Sequence, residues 1–158
     1  MNEARVVGIF TAANAGEPMN AHDSVRVLPG LGIHGDRYAT RTGHWSDPKW
    51  RDQQLTLVAV ELLDELGLAH DALRRNIVTR GIDLNDLIGL EFGIGEAVMR
   101  AQRICSPCAY IGRLNERPGL FGELNGRGGI RVSVVGEGVI SVGDEIRIIG
   151  LGDPIAPD

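Results

Sequence analysis

The sequence predicts a mainly β protein, a closed or nearly closed β-barrel with a few short helices. Three observations carry that prediction. Twenty-two glycines beside 4% aromatic residues indicate many tight turns. About six short runs rich in Val, Ile and Leu are bounded by Gly, Pro, Asn or Asp, the pattern of short strands. One stretch only, VELLDELGL, switches to a helical period. Strands that outnumber helices so heavily fit a barrel better than an alternating βαβ array. A length of 158 residues suits a single domain spanning residues 1–158.

In chain order, ARVVGIFTAA reads as a strand that runs into the turn-forming loop NAGEPMNAHD, and SVRVLP is a second strand. The polar, glycine-rich stretch GLGIHGDRYATRTGHWSDPKWRDQ has no sustained periodicity. A loop of that length in a compact domain is usually functional, and GHWSDPKW within it suits a lid or an interface. LTLVAV is a buried strand leading into a helix with Leu62, Leu63 and Leu66 on one face and Gly67 as its stop. RRNIVTRG supplies a short strand, DLNDLIG a turn of helix capped by Asp83, and EFGIGEAVMRAQRI one extended β segment. GIRVSVV, VISV and EIRII, separated by glycine turns, form a β-meander or hairpin pattern.

Composition narrows the function. A net charge of −5 argues against a nucleic-acid partner, because phosphate backbones require a basic surface. The N-terminal MNEARVVGIF lacks a charged-then-apolar signal pattern, and no apolar run approaches the ~20 residues of a spanning helix, so the expected setting is the cytoplasm, without a membrane partner. Cys105 and Cys108 are therefore expected to be thiols.

Three motifs carry chemistry. Gly30, Gly32 and Gly35 match G-x-G-x-x-G after a strand, but no apolar helical face follows, so a dinucleotide fold is not expected. Those glycines instead place His34, Asp36 and Arg37 on a loop where polar side chains converge. Cys105 and Cys108 form a C-x-x-C in RICSPCAYIGRL. His22, His34, His44 and His70 are too scattered to complete a structural zinc site, and the βαβ context of a redox pair is missing. What remains is a reactive thiolate at Cys108, on a short helix in AYIGRL near Arg103 and Arg113, or a pair of buried cysteines packed as apolar residues. Finally, Arg74, Arg75 and Arg80 bracket NIVT, Arg100 and Arg103 lead into the cysteines, and Arg127 lies in NGRGG. Such runs are solvated faces or, where segments converge, sites for a phosphate-bearing ligand.

Taken in order, GIHGDRYA, RRNIVTRGIDLNDLIG, ICSPC and GRGGIRVSVVGEGVISVGDEIRI resemble a stand-alone MOSC domain, named for the C-terminal domain of molybdenum cofactor sulfurase. The resemblance covers about residues 25–149, with 150–158 as a loose tail. It implies a MOSC-type β-barrel that binds molybdenum cofactor, its molybdopterin phosphate held by Arg75 and Asn76, with Cys108 as the metal ligand and Arg37 at the same pocket; the arginine runs and the serine before Cys108 add Arg103, Arg127 and Ser106 as expected cofactor-binding residues. The expected activity is reduction of an N-hydroxylated small molecule, electrons coming from an external donor, with Cys108, His34 and Asp36 in catalytic roles. Two other readings stand beside it. One is a sulfur carrier, persulfidated on Cys108 by a cysteine desulfurase that holds the pyridoxal phosphate. The other is a non-catalytic module that binds an anionic ligand.

Overall fold

The structure is a computed structural model and describes residues 3–14, 16–40, 54–105, 119–124 and 126–151. Eleven strands are present among the described residues: β1 (Arg5–Thr11), β2 (Asn20–Ala21), β3 (Ser24–Leu28), β4 (Gly32–Ile33), β5 (Leu55–Ala59), β6 (Ile77–Arg80), β7 (Leu90–Ile94), β8 (Ala97–Ile104), β9 (Ile130–Gly136), β10 (Gly138–Ser141) and β11 (Ile146–Leu151). Helices are short: α1 (Arg37–Thr40), α2 (Val60–Glu65), a 3-10 turn at Leu84–Leu87 and one turn at Leu120–Glu123. The mainly β fold class read from the sequence is what forms.

Eight strands make one sheet in the order β11-β7-β8-β9-β5-β6-β1-β2, and β10-β3-β4 make a second. The large sheet curls until its ends meet. Arg5 on β1 bridges Glu145, the Val6 amide donates to Asp144 at 2.9 Å, and the Ile146 amide donates to Ala4 at 3.0 Å. The enclosed core contains Ile9, Leu57, Ile77, Phe92, Met99 and Ile130, with Val27, Ile33 and Ile140 of the small sheet packed into the same cluster.

β5 and β6 are parallel, with Leu57 opposite Ile77 and Val58 opposite Val78. Parallel neighbours need a crossover, and α2 supplies it. Its Leu62 and Leu63 pack with Leu73, Leu120 and Leu124 over Val58 and Val78, on the outside of the barrel. Both faces of β5 are thus covered, which is why LTLVAV reads as a continuous apolar run. Gly67, at φ +67, follows the end of α2, and the Asp83 carboxylate accepts the Asn85 amide at 3.1 Å to cap the 3-10 turn.

Two strand pairings differ from the sequence reading. EFGIGEAVMRAQRI is not one extended segment but the hairpin β7–β8, turning over Gly95 and Glu96, with Gly95 at φ +57. A positive-φ glycine in a two-residue loop makes a tight hairpin. The C-terminal strands form as expected but are not a meander: β9 pairs with β8 and β5, β10 with β3, and β11 with β7. The reason lies at Gly138, where a Cβ would come within 2.6 Å of the Glu96 carbonyl carbon. The missing side chain lets β10 cross the β7–β8 turn and join the small sheet instead of folding back on β9. AYIGRL, most of the 40–53 loop and the tail from 152 onward lie outside the described residues. No helix among the described residues is long and apolar enough to cross a membrane.

Candidate functional site

The GLGIHG glycines all take positive φ: Gly30 +76, Gly32 +111 and Gly35 +87. At Gly32 a Cβ would lie 2.1 Å from the Gln54 carbonyl oxygen, so the glycine permits a backbone crossing. The strand that precedes α1, β4, is a two-residue strand paired antiparallel in the small sheet and not part of a parallel βαβ unit, which argues against the dinucleotide reading.

That turn buries Asp36 and Arg37 and leaves His34 exposed. Asp36 Oδ1 accepts the Ala12 amide at 3.1 Å and Arg37 Nη1 at 3.1 Å. The Arg37 amide donates to the Ala12 carbonyl at 2.7 Å, and Arg37 Nη2 donates to the Arg74 carbonyl at 2.9 Å. The GDR and RRN motifs, far apart in sequence, are therefore joined through one guanidinium.

Arg75 and Asn76 follow at the start of β6. Asn76 is fully buried, and its carboxamide holds three strands together. Its Oδ1 accepts the Thr56 amide at 3.0 Å and the Thr56 hydroxyl at 3.3 Å, while Nδ2 donates to the Phe10 carbonyl at 3.1 Å. The Asn76 carboxamide thus ties β1 and β5 to the start of β6. Arg75 differs. It is 5% exposed, and its Nε donates to the Gly128 carbonyl at 2.9 Å. Its two terminal nitrogens take no hydrogen bond among the described residues.

Gly128 and Cys105 complete the corner. A Cβ on Gly128 would lie 3.5 Å from the Cys105 carbonyl oxygen and 3.6 Å from Arg75 Nη2. Gly128 thus brings the Cys105 carbonyl and the Arg75 guanidinium to one corner. Cys105 is buried as an apolar residue, its amide bonded to the Gly129 carbonyl at 2.8 Å. Ser106 and Cys108 lie outside the described residues.

Strand register extends the site across the outside of the barrel. Thr56 pairs with Arg131, and Arg131 with Arg103, so their side chains share a face with Asn76. Arg131, 5% exposed, is the residue that the sequence reading missed. Its signal was present in GIRVSVV, where Arg131 and Ser133 alternate with Ile130 and Val132 and mark the face turned away from the core. Three guanidinia, those of Arg37, Arg75 and Arg131, are almost fully buried in and beside this row. Arg37 has its counter-ion in Asp36, at 3.1 Å, whereas the Arg75 guanidinium has the planar donor fork that suits bidentate contact with an anion. Arg127 is placed elsewhere. It is exposed, with Nη1 at 2.5 Å from Glu65 and Nε at 2.8 Å from the Glu123 carbonyl, and it lines a cavity of about 410 Å³ together with Glu61, Ile82 and Leu84.

The site therefore draws together Asp36, Arg37, Arg75, Cys105 and Gly128, with Thr56, Asn76, Arg103 and Arg131 as the adjoining strand row. Comparison with known proteins bears on the fold and the family. No curated protein matches the chain by sequence. Among solved structures, the YuaD protein of Bacillus subtilis superposes with a TM-score of 0.76 at 20% identity, over 92% of this chain and 94% of that one. YiiM of Escherichia coli matches with a TM-score of 0.66 at 16% identity, over 96% and 72%. YiiM of Geobacillus stearothermophilus gives 0.66 at 17% identity, over 92% and 75%. At these identities the likeness shows the fold. The family model for the MOSC domain matches residues 48–147, well over half of the chain, and the protein accordingly belongs to the MOSC domain family, a family associated with molybdenum cofactor binding.

Proposed function

We propose that this MOSC domain binds molybdenum cofactor against the outer face of β6, β5, β9 and β8, and that it acts as a small molybdoenzyme reducing N-hydroxylated compounds. The observation that carries the reading is Arg75, a buried guanidinium tethered by Nε alone, with its terminal nitrogens facing the space left by Gly128. Those nitrogens would hold the cofactor phosphate, with Arg131 and Arg103 adding positive field. The thiolate of Cys108 would ligate the metal, since a soft ligand suits molybdenum. When bound, the cofactor supplies two-electron oxygen-transfer chemistry.

The chain's own residues bind, orient and deliver protons. Reduction of an N–OH group to N–H with release of water consumes two electrons and two protons. The electrons come from an external donor, because two cysteines cannot supply a cluster with four protein thiolates. Asp36 is occupied by Arg37 and the Ala12 amide, which suits positioning better than proton delivery. The exposed His34 keeps contact with solvent protons and is the donor in this scheme. A reducing, cytoplasmic setting keeps the Cys108 thiol available.

The test is molybdenum and pterin content of protein from a host that makes the cofactor, beside Cys108→Ala. Near one of each per chain, with molybdenum lost in the variant, is expected. Well-folded protein without either would overturn the reading. Cys108 would then be assayed for a persulfide after exposure to a pyridoxal-phosphate desulfurase, the outcome that a sulfur carrier requires. Ligand affinity that survives Cys108→Ala and falls with Arg75→Ala would instead mark a non-catalytic anion-binding module.

A further inference from the structure

Arg74 has φ +58, the one positive φ outside glycine among the described residues. Left-handed backbone is costly for a residue with a Cβ and persists only where its surroundings impose it. Here the imposing groups can be named. The Arg74 carbonyl accepts Arg37 Nη2 at 2.9 Å, its amide donates to the Asp71 carbonyl at 3.0 Å, and its own guanidinium donates to the Glu17 carbonyl. Arg37 is in turn locked by Asp36, by the Ala12 carbonyl and by a 3.9 Å contact with the Met19 sulfur. On the other side of Arg75, Asn76 is fixed by Thr56 and Phe10.

We propose that the buried Asp36–Arg37 pair is a positioning device. It holds Arg74 in the left-handed conformation and so aims Arg75 at the Gly128 carbonyl, leaving the Arg75 terminal nitrogens open to an anion. Arg37 Nη2 reaches the Arg74 carbonyl, and Asp36 serves to hold Arg37. A flexible arginine loses rotamer freedom when it binds; one held at both flanking residues and at Nε has given up much of that freedom beforehand. The anion in this account rests on the function proposed above, while the aim of Arg75 does not.

The experiment follows the Arg75 Nε–H signal by nitrogen NMR, first in the free protein and then during titration with inorganic phosphate. The first variant is Asp36→Asn with Arg37→Met, which removes the pair without leaving a lone buried charge. Loss of exchange protection at Arg75 Nε–H and phosphate affinity weakened about tenfold, the scale of a lost supporting contact, are expected. Adding Arg74→Gly should recover part of both, because glycine takes positive φ at little cost. An unchanged Arg75 signal with unchanged affinity would overturn the proposal. So would lost affinity with an unchanged Arg75 signal and no recovery, since that pattern makes Arg37 a direct ligand. If the double variant does not fold, Arg74→Ala against Arg74→Gly decides. Both lose the Glu17 contact and differ in tolerance of positive φ, so weaker phosphate binding by the alanine variant supports the device and equal binding contradicts it. A wild-type protein with a protected Arg75 Nε–H that ignores phosphate would count against the cofactor reading alone, and the Nε–H signal would still decide the positioning.

Discussion

Two faces of the same strands carry different chemistry one residue apart. Toward the barrel interior, Leu57, Ile77 and Ile130 stand in register, each fully buried. On the outer face, the preceding residues of β5 and β6 and the following residue of β9 align Thr56, Asn76 and Arg131, equally hidden but polar. One step further along, Val58 and Val78 return the outer face to apolar packing under α2. Burial therefore does not separate core from site here; hydrogen-bonding chemistry does. The inner row is hydrocarbon, whereas the outer row holds specified donors and acceptors, Thr56 and Asn76 bonded to each other, next in the chain to Arg75.

That contrast can be broken or sharpened by substitution. The largest stability effect is expected on the inner face. Leu57→Ala should cost about 3 kcal/mol, from lost transfer energy and the cavity left behind, read as a lowered urea midpoint with an unchanged m-value. On the outer face, Asn76→Ala strands the Thr56 amide and the Phe10 carbonyl and should cost about 2 kcal/mol in the same measurement. A loss as small as that of an ordinary surface change would refute its role as a strand clamp. Smallest is Arg127→Ala. It removes an exposed ion pair with Glu65, so stability should move by less than about 1 kcal/mol and cofactor content should not change. A fall in molybdenum content in that variant would restore Arg127 to the ligand site.

How much of this could be read in advance depends on the range of the interaction. Local rules located β5, α2, β6 and the Asp83 cap, because periodicity and capping are settled within a few residues. Pairing was not legible in the same way. Glycine turns announce that the chain reverses, but at Gly138 the outcome depends on clearance over Glu96, far away in sequence. The site followed the same division. Asp36, Arg37 and Arg75 stood out by residue type, whereas the Arg37 bond to the Arg74 carbonyl, which joins them, exists only in three dimensions. Asn76, expected as a cofactor-binding residue, also bonds Thr56 and the Phe10 carbonyl, contacts that only the strand pairing reveals. Arg131 was overlooked because a charged residue in a strand normally marks solvent, and here it marks a buried outer row.

The central claim is that Arg75 serves the ligand and not the barrel. The direct measurement pairs molybdenum and pterin content with the urea midpoint for Arg75→Ala beside the wild-type protein, both purified from a cofactor-making host and compared after the ligand is stripped. Among the described residues the Arg75 side chain makes one hydrogen bond, to Gly128, so the stripped midpoint should shift by no more than about 1.5 kcal/mol in stability while cofactor content collapses. Full cofactor content in the variant, or a stripped protein that unfolds as readily as Leu57→Ala, would contradict the account.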